Sequence, residues 1–149
     1  MDPSNTLSYK LHAVVYSIDA LSNRIFKDYS DINFPQFLII LCAYQNPGHT
    51  QKFSASWLQL TEATVSYMVK VVHKKGYIEV RLDEDDLRTR NIFVTDSGKE
   101  LIERIYPMLE ESLGGLFGDI DSKKMAEFVQ GLDLVYKSLN NKMEEYECI

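Results

Sequence analysis

The stretch RLDEDDLRTRNIFVTDSG, Arg81 to Gly98, sets four consecutive acids, Asp83 to Asp86, and two arginines, Arg88 and Arg90, between two short β-branched and aromatic runs. Upstream, Ile78, Val80 and Leu82 alternate with Tyr77, Glu79 and Arg81, the period-two pattern of a half-buried strand. Downstream, Ile92-Phe93-Val94-Thr95 supplies a partner of the same character. The pair predicts a β-hairpin whose insert is longer and more charged than a tight turn requires. Such a loop stands out into solvent.

The residues before the hairpin predict a helix. From Thr61 to Lys75, Val65, Met68, Val69 and Val72 make one apolar stripe, and Glu62, Ser66, Tyr67, Lys70, His73 and Lys74 take the remaining positions. Thr61 is placed to cap its start, with Glu62 in the first turn where the helix dipole favours an acid. Lys74-Lys75-Gly76 ends it, with cations in the last turn and glycine just beyond. A shorter helical piece covers roughly 52–59. Another helix starts near Phe34-Pro35 and stops at Asn46-Pro47-Gly48.

The ends of the chain read as long amphipathic helices. Leu11, Val14, Val15, Ile18, Leu21, Ile25 and Phe26 recur at steps of three and four between Leu7 and Tyr29. A helix from about Ser97 towards Leu116 carries Leu101, Ile102, Ile105, Met108, Leu109 and Leu113, with a kink expected at Pro107. The last begins after Asp121 and carries Met125, Phe128, Val129, Leu132, Val135, Tyr136 and Leu139. The resulting fold class is mainly α with a small β-hairpin wing, a winged helix-turn-helix core flanked by N- and C-terminal dimerisation helices. Its divisions are 1–30, 31–96 and 97–149. Because one chain does not easily shield three such stripes, an obligate homodimer is expected, with an interface above ~2,000 Å².

A composition of 45% hydrophobic and 26% charged residues is that of an ordinary folded domain and not of a disordered tail. The longest apolar run, Phe37 to Ala43, is far short of a membrane span. MDPSNTLSYK has neither the basic start nor the apolar core of a signal peptide, so a reducing cytoplasm is the expected location. The net charge of −6 argues against a nucleic-acid partner until it is divided. Segments 1–51, 52–90 and 91–149 carry −1, +1 and −6, so nearly all the excess acid lies in the C-terminal third. No Gly-rich phosphate loop, nucleophile with a base, or paired carboxylates outside charge runs is present, which argues against an enzyme and against a cofactor. His12, His49 and His73 lack metal-ligand spacing, and Cys42 reads as a small core residue.

ATVSYMVKVVHKKGYIEV, Ala63 to Val80, resembles the recognition helix and first wing strand of the MarR (multiple antibiotic resistance regulator) family of transcription factors. DDLRTRNIFVTDSGKEL, Asp85 to Leu101, resembles that family's wing tip, second strand and following helix. Asp86-x-Arg88 stands at the family's spacing before Thr95 of VTDSG. The resemblance implies a homodimer acting on double-stranded DNA, with recognition helices in successive major grooves and hairpin tips at the flanking minor grooves. Arg88, and Arg90 beside it, would enter the minor groove or grip its phosphates, with Asp86 holding Arg88 in a bidentate pose. Thr61, Glu62, Thr64, Ser66 and Tyr67 would face the duplex, and Lys70 and Lys74 its phosphates.

The resemblance also implies a small phenolic or lipophilic effector in a cleft bordered by Tyr9, His12, Tyr16, Phe34, Phe37 and Tyr44. Tyr67 departs from the arginine common in the family, and Ser54 from a leucine, with Phe53 placed to fill the space. Trp57 reads as scaffold. The redox-sensing branch depends on a cysteine in the first helix, and Leu7–Tyr29 has none. The acidic total and the missing arginine leave open a second class of function, a protein-interaction module that keeps the fold without operator binding.

Overall fold

A computed structural model describes the backbone of residues 3–83, 86 and 89–147 and nearly all of their side chains. The element order is α1 (Leu7–Tyr29), α2 (Phe34–Gln45), β1 (His49–Thr50), α3 (Gln51–Leu58), α4 (Glu62–Lys74), β2 (Ile78–Leu82), β3 (Arg90–Val94), α5 (Asp96–Phe117) and α6 (Ser122–Glu147). The chain divides into two compact units, 1–111 and 112–149. No described helix is long and apolar enough to cross a membrane.

Local chemistry sets the helix ends, as the sequence predicts for α4 and α6 and through an Asn33 cap it does not predict for α2. Thr61 caps α4 by accepting from the Thr64 N–H at 3.2 Å. Asn33 and Gln36 form a reciprocal capping box at the start of α2, with Pro35 in its first turn. Asp121 Oδ1 accepts from the N–H groups of Lys123 and Lys124 at 3.0 and 3.2 Å and so opens α6. Gly76 adopts φ +81, the left-handed conformation that ends α4 after its cationic last turn. α5 runs unbroken through Pro107.

The core of the first unit gathers one face from each element. Phe26 of α1 lies 5.1 Å, centroid to centroid, from Phe37 of α2. Ile39 and Ile40, the α4 stripe of Val65, Met68, Val69 and Val72, the strand residues Ile78 and Ile92, and Leu101, Ile105 and Leu109 of α5 complete it. Burying side chains of this size contributes roughly 1.5–3 kcal/mol each. The expected hairpin pairs β2 with β3, Val80 opposite Ile92. A third strand that the sequence reading lacks, β1, joins the other edge, with His49 opposite Ile92.

Thr95 and Gly98 fix how the hairpin hands over to α5. The Thr95 hydroxyl donates to the Gly76 carbonyl at 2.6 Å and accepts from the Gly98 N–H at 3.2 Å, while the Thr95 N–H donates to the Tyr77 carbonyl. A β-carbon on Gly98 would collide with that same Tyr77 carbonyl and lie 2.7 Å from Val94 Cγ2. This accounts for the glycine of VTDSG by contact. Within the second unit, α6 leaves Phe128, Val129, Tyr136 and Leu139 about half exposed, and α1 in the first does the same with Leu7, Val14, Val15 and Tyr16.

Gly98→Ala should therefore destabilise the first unit by about 1–3 kcal/mol, the usual cost of overpacking against backbone. Thermal or urea unfolding followed by circular dichroism measures it, and an unchanged midpoint would contradict the contact.

Candidate nucleic-acid interface

Burial of the α4 stripe dictates what the rest of the helix presents. At about 100° per residue, Tyr67 and Lys74 fall opposite the buried face, while Ser66, Lys70 and His73 fall on one flank. Tyr67 is accordingly 66% exposed, the largest side chain on the outer face. Thr61, Glu62, Thr64, Lys70 and Lys74 are also exposed, and Ser66 is half-buried. Thr61 Oγ1 and Thr64 Oγ1 lie 2.8 Å apart, so both hydroxyls are held at the helix start.

The flank carrying Ser66 and Lys70 faces the hairpin across an open cleft of about 830 Å³. Three elements line it. α4 contributes Ser66, Lys70 and His73, the hairpin contributes Arg81 and Arg90, and the start of α3 contributes Lys52. His73 Nδ1 donates to the Ile78 carbonyl at 3.0 Å and ties the helix to the strand. Arg81 holds its guanidinium 4.6 Å above the Phe93 ring and pairs with Glu79. Lys52 and Arg81 line this cleft although the sequence reading named neither as a candidate. Arg81 lies on the polar parity of its strand, and Lys52 follows the Thr50 cap of α3, so alternation and capping were the available signals.

Lys75, although next to Lys74, faces the scaffold. Its ammonium donates to Asp31 Oδ2 at 2.5 Å and to the Asp31 carbonyl at 2.8 Å, and the Tyr77 hydroxyl donates to Asp31 Oδ1 at 2.9 Å. The Lys75 hydrogen bond holds the Asp31 carboxyl below its ordinary value against some desolvation. Burial, and then Asp31, push the Tyr77 phenol up.

At the tip, Asp83 accepts from the Asn91 amide at 2.7 Å and from the Asp86 N–H at 3.0 Å, and its own N–H donates to the Thr89 carbonyl. Asp86 accepts from the Thr89 hydroxyl at 2.8 Å. These two acids thus fold the hairpin end. Arg88, Glu84 and Asp85 lie outside the described residues, and with them the expected Asp86–Arg88 pairing.

The aromatic positions divide. Phe37 is core, 1% exposed, and Phe34 packs partly buried against Phe26 at 6.1 Å. Tyr9, His12 and Tyr16 are exposed along α1. Tyr44 lines an apolar cavity of about 400 Å³ together with Leu41, Ile102, Tyr106 and Pro107.

Ser54 is buried and is partnered by His49, so the departure from leucine is filled by a polar pair, and Phe53 is 42% exposed instead of filling it. His49 Nδ1 donates to the Asn46 carbonyl at 2.7 Å, and its Nε2 lies 2.6 Å from Ser54 Oγ and 3.6 Å from Cys42 Sγ. Burial pushes the Cys42 thiol up and the His49 imidazole down. Trp57, expected as scaffold, is 41% exposed, because the inner face of the two-turn α3 is formed by Ser54, Ala55 and Leu58. No group of three metal-ligating side chains occurs among the described residues.

A sequence model described as the MarR family matches residues 32–89, the segment from α2 to the hairpin tip. An uncharacterized HTH-type transcriptional regulator of Bacillus subtilis, YybA, is 28% identical over 105 residues, covering 70% of this chain and 67% of that one. The HTH-type regulator TtmR of Methylorubrum extorquens is 26% identical over 120 residues, 78% of this chain and 61% of that one. Among solved structures, the S. aureus MepR–DNA complex superposes with a TM-score of 0.84 at 25% identity, over 89% of this chain and 98% of that chain. Residues 32–89 thus match the MarR family, and the chain as a whole shares the fold of such a regulator. The transcriptional regulator SlyA, at 18% identity, shares the fold with a TM-score of 0.86 over 94% of this chain and 98% of its own. The matching family model and these relatives are those of transcriptional regulators and not of enzymes.

The buried histidine gives the lobe a pH dependence. His49 is depressed in the folded chain, so its contribution is complete above the ordinary histidine value of about 6.5. It is lost as pH falls below that, because the unfolded chain binds the proton that the fold resists. The melting temperature should drop between pH 7.5 and 5.5, and by less in His49→Gln. Equal drops in the two proteins would contradict the assignment.

Proposed function

We propose that this protein is a sequence-specific, double-stranded-DNA-binding transcription regulator that acts as a homodimer and represses from a palindromic operator. The observation that carries the reading is the exposed polar face of α4, with Tyr67 at its crest, set beside a cationic cleft and a charged hairpin. A helix of this kind fits the major groove, where base edges are distinguishable. Thr64, Ser66 and Tyr67 read or position bases, with Thr61 and Glu62 at the helix start. Lys70 and Lys74 contact phosphates, and Arg88, supported by Arg90 and Asp86, serves the flanking minor groove.

The half-exposed apolar residues of α1 and α6 support a dimer built from the two ends of the chain, 1–30 and 97–149. Two α4 helices would then address grooves about 34 Å apart. The apolar cavity beside Tyr44 supports a small phenolic or lipophilic effector, with exposed Tyr9, His12 and Tyr16 on the neighbouring helix as further contacts. The crystal structure of the PcaV regulator holds a natural ligand, and its chain shares this fold. Such a ligand acts by favouring one spacing of the two DNA-binding lobes. A cytoplasmic location follows from acting on DNA.

A duplex carrying the gene's own promoter should shift at nanomolar protein, with affinity falling steeply as salt rises. Arg88→Ala should weaken binding by about 1–3 kcal/mol. Leu139→Asp should halve the mass in solution measured by light scattering and abolish the shift. Absence of any salt-sensitive shift on promoter fragments, with a partner protein recovered instead, would favour the protein-interaction module.

A further inference from the structure

Resting on the DNA-binding reading, we propose that the cleft between α4 and the hairpin seats one sugar–phosphate strand of the operator. Lys52 and Arg81 grip its phosphates there, and Glu79 holds Arg81 in place at some cost to that grip.

The geometry of duplex DNA leads to this seat. A major groove and the minor groove beside it are separated by a single backbone strand. A protein that sets a helix in one and a hairpin tip in the other must straddle that strand. The space between α4 and the hairpin is the 830 Å³ cleft. Its walls bring Lys52, Lys70, Arg81 and Arg90 together from α3, α4 and the hairpin, and no carboxylate lines it among the described residues. This is the charge pattern that a phosphate run selects.

Arg81 is the best-prepared of these cations. Phe93 supports the guanidinium from one side and Glu79 orients it, yet 59% of the side chain stays exposed. Donors not used by Glu79 therefore remain for a phosphate, and little ordering is left to be done on binding. Its carboxylate partner, Glu79, lies on the same strand two residues away and shares the cation with any phosphate that arrives. Lys52 forms no ion pair among the described residues, and it lines the same cleft from the start of α3. Neither residue is on the outer face of α4, so both act without reading bases.

The test compares wild type, Lys52→Gln, Arg81→Gln, Arg81→Lys and Glu79→Gln on a duplex selected by the wild-type protein, across a range of salt. Lys52→Gln and Arg81→Gln should each weaken binding about tenfold at moderate salt and lower the salt slope by about one. Each should leave the ranking of single-base-pair changes in the operator as it is. Arg81→Lys should recover most of the affinity, and Glu79→Gln should tighten binding several-fold. Melting curves establish that each variant is folded, and Lys52→Gln stands as an independent arm should Arg81→Gln unfold. Unchanged affinity for both Lys52→Gln and Arg81→Gln, with Tyr67→Ala still losing the operator, overturns the seat and leaves the DNA reading intact. A changed base ranking also overturns it, because the cleft would then be reading sequence. A wild type that selects no duplex defeats the DNA reading itself.

Discussion

The roll of α4 about its own axis is the constraint on which the functional surface depends. Four side chains, Val65, Met68, Val69 and Val72, are buried at nearly full depth against α2 and the strands. Turning the helix by one residue would expose two or more of them, at roughly 1.5–3 kcal/mol each. No hydrogen bond on the outer face competes with that. The direction of Tyr67 and Lys74, and the flank given to Ser66, Lys70 and His73, are thus consequences of core packing. The contact surface is precise because the side that touches nothing is set by the side that touches everything.

A second set of contacts fixes the hairpin against that helix. His73 reaches the Ile78 carbonyl, Tyr77 and Lys75 close on Asp31, and Thr95 bridges from Gly76 to the first turn of α5. These contacts tie the strands to the end of α4 and so form the wall of the cleft. On the far edge, β1 carries His49 into contact with Ser54, which ties the start of α3 to the same sheet. A straddled DNA strand needs both walls held in this way, since a loose hairpin would lose affinity to ordering.

The sequence made α4 and the hairpin legible because their signals are local: a 3.6-residue stripe, a threonine cap, a glycine stop, and two alternating runs. Thr61, Gly76 and the strand parity sit where those rules put them. β1 was not legible, since two residues carry no period, and pairing to β3 is a tertiary event. The buried Cys42–His49–Ser54 group was hidden for the same reason; a histidine and a serine five apart show no amphipathic signature, and only the fold joins them. Lys52 and Arg81 belong to separate elements whose convergence a linear reading lacks. The charge of the hairpin insert suggests only a solvated loop and an Asp86 partner for Arg88, whereas Asp83 and Asp86 are hydrogen-bond acceptors that shape the hairpin end.

Hydroxyl-radical cleavage of a selected duplex, at single-nucleotide resolution, tests the central claim most directly. If α4 occupies a major groove and the hairpin straddles the strand beside it, protection falls in two twofold-related sets. The sets should be centred about ten base pairs apart, each including the strand segment between a protected major groove and its flanking minor groove. Protection confined to one site, spread evenly along the duplex, or absent at a protein concentration that saturates binding would contradict the account.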